Sequence, residues 1–337
     1  MLACALGIAI AGGASAQEGP YKVQRIVKTG GEGGFDYLYA DPEGRKLYIP
    51  RRGGPGRIEV FDLDTLELVG TLPDVDAHGV AVSAKSNRGF ATSDPIAMWD
   101  AKTLEPIKTI EVRGSPDGIL YDPYDDRVYS FSHKPPNATV LDASDGSILG
   151  TIDLGGAPEQ AASDGRGSVY VDIENEDCVA VIDAAAMKVR TRYSLAGAGG
   201  SCAGLALDVP DGILFVACRV PPTMVVMDAS SGRIVASLPI GRGTDGAAFD
   251  PATGEAFSSQ ADGTLTVIKK EGAGKFIVEQ NVPTMPGAKT LTLDPRTGRV
   301  LLMAAEFGPP PPTAGTGPYP RRGPILPGSF SIIVVGK

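Results

Sequence analysis

Six ionisable residues recur along the chain at nearly constant intervals: Asp36, His78, Asp117, Glu159, Asp245 and Lys289. Together with Ala203 they are spaced 42, 39, 42, 44, 42 and 44 residues apart. A closed repeat architecture would gather such residues into one ring. Four carboxylates, an imidazole and an ammonium are not packing residues, because charged side chains are seldom buried without partners. They either bind water and one another across a solvated funnel or form a ligand site. Crowded carboxylates repel unless something positive joins them, and Lys289 or a hard divalent cation such as Ca²⁺ would serve. Oxygen ligands with at most one histidine argue against a zinc or copper cage, and no EF-hand spacing is present.

Read as catalytic machinery, Asp36, Asp117, Glu159 and Asp245 would hold a cation and His78 would act as general base in a metal-assisted lactonase or other hydrolase. No familiar catalytic motif accompanies them. The sequence has no HExxH and no GxSxG, and the fragment Gly287, Ala288, Lys289, Thr290 lacks the glycine-rich spacing of a phosphate loop. A binding role therefore leads, with no catalytic residue assigned.

The elements that must position the ring are strands. Seven segments share one grammar: FDYLYAD, HGVAVS, DGILYD, EQAASD, AGLALD, DGAAFD and KTLTLD, ending at Asp41, Ser83, Asp122, Asp164, Asp208, Asp250 and Asp294. The candidate ring residue stands five positions before each end. A second strand follows each (KLYIPR, RGFATS, RVYSFS, SVYVDI, ILFVAC, EAFSSQ, RVLLMA), then a third that usually closes on Asp, then an outer fourth such as LELVGTL or ILGTIDL. A period near 42 matches four-stranded propeller blades, whereas a β-sandwich or a pair of smaller domains needs no sevenfold period. The seventh repeat runs out of chain after its third strand, while KVQRIVKT (22–29) precedes the first repeat without a partner. The fold class expected is thus all-β: a seven-bladed propeller whose N-terminal strand completes the last blade and leaves no broken sheet.

On the same face the loops between second and third strands bring Arg51, Arg52, His133, Glu174, Arg219 and Gln260 toward the ring. Arg51 and Glu174 join the candidate ligand-binding set. The proline-rich stretch 308–328, with Arg321 and Arg322, exceeds what a blade connection needs and reads as a lid, a docking surface or a stiff solvated insertion. Cys202 and Cys218 lie eight residues either side of Pro210 in the turn DVPDG, so a hairpin brings them into register as a disulfide. Cys178 is left as a buried thiol that nothing nearby activates. Asn137, Ala138, Thr139 is a three-residue glycosylation sequon of little weight.

Residues 1–16, MLACALGIAIAGGASA, read as a signal peptide cleaved before Gln17, with an uncleaved anchor as the alternative. This places a single domain over 17–337 in the periplasm or outside the cell, and Cys4 leaves with the leader. The formal charge of −9 disfavours partners bound through phosphate neutralisation, nucleic acid above all. No later stretch approaches the roughly 20 apolar residues of a membrane span.

The segments GGFDYLYAD, SPDGILYDP, GGAPEQAASDGRGSVYVDIE, TDGAAFDP with FSSQADGTLTV, and LPGSFSIIVVGK, together with the Cys202 and Cys218 segment, resemble the YncE-like family of YVTN-repeat β-propellers over essentially the whole mature chain. The literal Tyr-Val-Thr-Asn tetrapeptide is absent. The resemblance implies an exported propeller and says little about activity. Taken together, the expectation is a monomeric binding protein or scaffold that recognises a small polar ligand, a cation or a protein partner on its funnel face. The metal-assisted hydrolase is the alternative and a purely structural envelope protein a third reading.

Overall fold

A computed structural model describes residues 18–272, 274–310 and 323–337. The leader assignment, and the part of the proline-rich stretch that contains Arg321 and Arg322, lie outside the described residues. These residues form seven antiparallel sheets in a closed ring, with strands paired in sequence order within each sheet except where the first strand of the chain joins the seventh blade and the split inner strand of the first blade pairs in two pieces with its second strand. Blade 3 is representative, with strands Pro116–Asp122, Arg127–Ser132, Ala138–Asp142 and Ile148–Ile152 running from the channel outward. Inner strands of successive blades contact one another all the way round, blade 7 meeting blade 1.

Each blade is a wedge between two others, so its middle strands are covered on both faces and read as continuous apolar runs. In blade 4, Ser168–Ile173 is buried throughout, whereas the outer strand Lys188–Ser194 is mostly exposed. The core is accordingly a set of seven apolar layers, one between each neighbouring pair of blades. The aspartate that closes many third strands caps the turn into the fourth. Asp62, Asp100 and Asp228 each accept backbone N–H bonds from the residues two and three positions on. The fourth residue on is left-handed at Leu66, Leu104 and Gly232. Such self-bonding turns are what Asp favours.

Closure is as the strand count predicts. Lys22–Lys28 pairs antiparallel with Ser331–Gly336, Lys22 opposite Gly336 and Lys28 opposite Ser331, completing blade 7 as its outer strand. Cys202 and Cys218 are directly opposed in blade 5 and joined at an S–S distance of 2.07 Å, and Cys178 is a buried free thiol. No helix among the described residues is long and apolar enough to cross a membrane.

Candidate functional site

The inner strands do not run straight through the ring position. In blades 3 and 4 two residues, Asp117 with Gly118 and Glu159 with Gln160, oppose one residue of the second strand, and in blades 5 and 6 Ala203 and Asp245 are each one residue extra. In blade 1 the inner strand is split into Gly34–Phe35 and Tyr39–Asp41, with Asp36 in the gap. His78 and Lys289 stand just ahead of Val80–Ser83 and Leu291–Asp294. A bulge re-aims the side chain it carries. In five of the seven blades a bulge or a strand gap falls where the spacing puts the ring residue, and hydroxyls of the preceding blade hold three of the ring segments by their carbonyls. Thr92 donates to Asp117 O (2.5 Å), Ser259 to Lys289 O (2.7 Å) and Thr290 to Asp36 O (2.8 Å).

The side chains so placed are ion-paired. His78 Nδ1 lies 2.7 Å from Asp36 Oδ2 and 2.8 Å from Asp117 Oδ1. His133 Nε2 lies 3.4 Å from Asp117 Oδ2 and 3.5 Å from Glu159 Oε1. Lys289 pairs with Asp245 and stands 3.7 Å from Asp36. Arg52 reaches Asp36 (3.8 Å) and Asp76 (3.6 Å). Blade 5 has only Ala203 at the ring position, and Arg219, from the end of its second strand, pairs instead with Asp245 and with Glu174 at 2.5 Å. Tyr37 donates a 3.0 Å hydrogen bond to Glu159, tying blade 1 to blade 4 across the channel. The inner strands enclose a cavity of about 260 Å³ whose lining includes Tyr37, Leu38, Val80, Ile119, Glu159 and Leu291.

Electrostatics follow from this pairing. Burial alone would depress His78, but its hydrogen bonds to Asp117 and Asp36 outweigh it and push the imidazole up to about 9. The hydrogen bond to Glu159 raises His133 against its own burial. Burial raises Glu159, opposed by His133, whereas the bond to His78 overrides burial at Asp117 and holds it low. An acceptor on either side of Nδ1 requires that nitrogen to be the donor. Both the neutral Nδ1–H tautomer and the imidazolium meet that requirement, and the upward shift of His78 favours the imidazolium.

The mouth thus brings together Asp36, His78, Asp117, Glu159, Asp245, Lys289 and Glu174. Arg51 is a correction. It is fully buried, stacked 3.7 Å over the Phe330 ring and bonded to Glu59 and to the carbonyls of Gly30 and Glu32, all at 3.2 Å. It shares its strand face with Leu47 and Ile49, which pack between blades 7 and 1, so alternation alone would have turned it inward and Arg52 toward the mouth. Gln260 is likewise buried, its amide used by Ser258, Thr264 and Thr266. Asn137 is buried and bonded on both sides of its amide to Ser132 and Leu154, so the sequon is a structural residue. Sequence reasoning missed Tyr37, Asp76 and the buried Asp172. A signal for Tyr37 existed: four blades carry glycine at its repeat position, where inner strands nearly touch. A Cβ on Gly204 would come within 2.8 Å of the Gly246 backbone.

The chain matches no protein-family model and no curated protein. Its likeness is to solved propellers. The structure titled RRP9 WD40 repeats is similar at a TM-score of 0.74 and 13% identity, covering 94% of this chain and 99% of that one. The structure of U3-55K gives 0.72 at 14% identity with the same coverage. This chain has the WD40-type propeller fold. A chain of the mitotic checkpoint complex gives 0.71 at 11% identity, covering 90% and 94%. At such identities the likeness extends to the fold alone.

Proposed function

We propose that the protein is a binding propeller that recognises a polar, charged ligand, free or displayed by a protein partner, through the ion-paired ring at its funnel mouth. The observation that carries this reading is the convergence of six ionisable side chains from six blades into one ion-paired mouth, three of them (Asp117, Glu159 and Asp245) on bulges, since a scaffold that only stacked blades has no need of them there. Proline in several of the loops around it, among them Pro55, Pro95, Pro135 and Pro221, restricts the rim and lowers the ordering cost of association. One of the similar propellers was solved as part of the mitotic checkpoint complex, which favours a partner-binding use of the fold. The repeat resemblance to YncE-like proteins and the apolar leader support export to the periplasm or beyond.

A second reading rests on one observation. Asp36, His78 and Asp117 bring one ligand atom each within 4.8 Å of one another. A divalent ion there would have to displace the His78 proton, and metal-assisted hydrolysis would follow only if it did. A thermal-shift screen of the purified protein against Ca²⁺, Mg²⁺, Mn²⁺ and small anions, zwitterions and amines, repeated on Asp117→Asn and Glu159→Gln, tests both, because ligands of the folded state raise apparent stability. A stabilising hit lost in both variants supports the binding site. A divalent hit among them supports the metal reading. Hits indifferent to both variants overturn the assignment of the ring.

A further inference from the structure

Acid and base alternate around the mouth almost without exception. Asp36, His78, Asp117, His133 and Glu159 form one arc, and Glu174, Arg219, Asp245 and Lys289 lead back to Asp36 along the other. The alternation fails at blade 4, where Glu159 and Glu174 follow one another. Behind them is a third carboxylate. Asp172 is fully buried, neither of its oxygens has a hydrogen-bond partner, and on the second strand it stands opposite the bulge that carries Glu159, two residues before Glu174 opens the 3-10 turn Glu174–Glu176. Cations reach the cluster from both sides, His133 of blade 3 and Arg219 of blade 5, but each is already divided between two carboxylates: His133 between Asp117 and Glu159, Arg219 between Asp245 and Glu174.

We propose that blade 4 is where the funnel receives a cationic N–H donor, an alkylammonium group, held by Glu159 and Glu174 with the buried Asp172 carboxyl behind them. This rests on the reading of the mouth as a binding site and narrows its ligand. An ammonium fits better than a metal ion. Ca²⁺ asks for roughly six to eight convergent oxygens, yet among the described residues only Asp36, His78 and Asp117 gather ligand atoms within 4.8 Å. Separated acceptors suit donors that radiate from one nitrogen.

Proton release must accompany such binding. Burial holds Glu159 above the usual carboxylate range, reinforced by Asp245 and Glu174 and opposed by His133 and Arg219, while Tyr37 donates to its other oxygen. Burial likewise holds Asp172 well up, with Glu159 and Glu174 adding to the effect and Arg219 opposing it. An arriving cation favours the ionised form of both acids, so affinity rises with pH through their titration.

Isothermal titration calorimetry of the intact protein with 1,4-diaminobutane, an oligolysine peptide and Ca²⁺ tests the proposal. An amine binds, binding tightens as pH rises above the ordinary carboxylate range, and heats in two buffers of different ionisation enthalpy report released protons. Glu174→Gln weakens it by about tenfold or more, Asp172→Asn reduces the protons released, and the remote exposed Glu271→Gln changes neither. Tighter binding of the diamine or of the peptide identifies a free amine or a displayed lysine as the source. Ca²⁺ that competes equally, amine affinity unchanged in Glu174→Gln, or no proton release overturns the assignment. Should no amine bind while another probe responds to Asp117→Asn and Glu159→Gln in the thermal screen, the cation assignment fails and the binding reading stands. If nothing responds in either experiment, both fail.

Discussion

An imidazole between two carboxylates carries its proton on the nitrogen they share, and His78 Nδ1 is in that position with Asp36 and Asp117. Its folded value of about 9 lies above the ordinary 6.5, so its stabilisation is fully present below about pH 6.5 and is lost as pH rises through about 9. Replacing it by His78→Gln is expected to cost about 2 kcal/mol near pH 6 and progressively less toward pH 10. Urea denaturation of both proteins across that range measures the difference, and a cost that does not vary with pH would mean that the imidazole is not charged. Asp172 runs in the same direction for a different reason, burial penalising its ionised form rather than partners favouring a charged one. Its raised value makes folding take up a proton above the unfolded carboxylate range, near 3.9, which destabilises the native state there. Asp172→Asn removes that uptake and should unfold later than the parent at pH 7 while matching it near pH 4. Paired melts at the two pH values decide this.

At the scale of a strand, what the sequence makes readable is periodicity, and what it hides is departure from it. The middle strands announce themselves because both faces are buried, and the ring position is legible because spacing survives whatever the backbone does locally. The bulges at Asp117, Glu159, Ala203 and Asp245 are invisible to a period-two pattern, since one extra residue merely swaps the faces beyond it. For that reason the ring could be listed from sequence while its pairing could not. Neutralisation by Arg219, which stands in for the missing charge at Ala203, depends on where the second strand of blade 5 ends rather than on any motif. The disulfide depends on one of these bulges: the ladder from Asp208↔Ile213 to Gly204↔Ala217 is centred half a residue beyond Pro210 and would set Cys202 opposite Arg219, and the extra residue Ala203 is what brings Cys202 opposite Cys218. That bond closes a loop with a sequence separation of 16 and anchors the strand end from which Arg219 projects. Reduction is expected to lower stability by about 3 kcal/mol and to speed amide exchange in residues 200–220. Denaturation and exchange with and without reductant check both, and an unchanged midpoint would leave the bond without a stabilising role.

A propeller is only as stable as its closure, because each blade is held chiefly by its neighbours and a ring opened at one seam exposes two apolar faces. The seam between the chain ends is fastened three times over. Strand pairing joins Lys22–Lys28 to Ser331–Gly336. Arg45 of blade 1 grips the buried Asp294 of blade 7 through two 2.9 Å bonds. Both termini also converge on blade 6, where Glu255 accepts a 2.5 Å bond from the Tyr21 hydroxyl and pairs at 3.0 Å with Lys337, while Gln280 bonds the Tyr21 backbone at 2.9 and 2.7 Å. Glu255 is almost wholly buried, so Glu255→Leu would leave the tyrosine hydroxyl without its acceptor and the terminal lysine without its counterion. The loss should be about 2 kcal/mol, chiefly from the tyrosine hydroxyl left without its acceptor, because the half-exposed Lys337 keeps its hydration. It should open the first and last strands before the rest of the ring. Lys22–Lys28 and Ser331–Gly336 would then gain amide exchange ahead of blades 3 to 5. Exchange that rises uniformly over all seven blades would instead make the ring a single cooperative unit with no preferred seam.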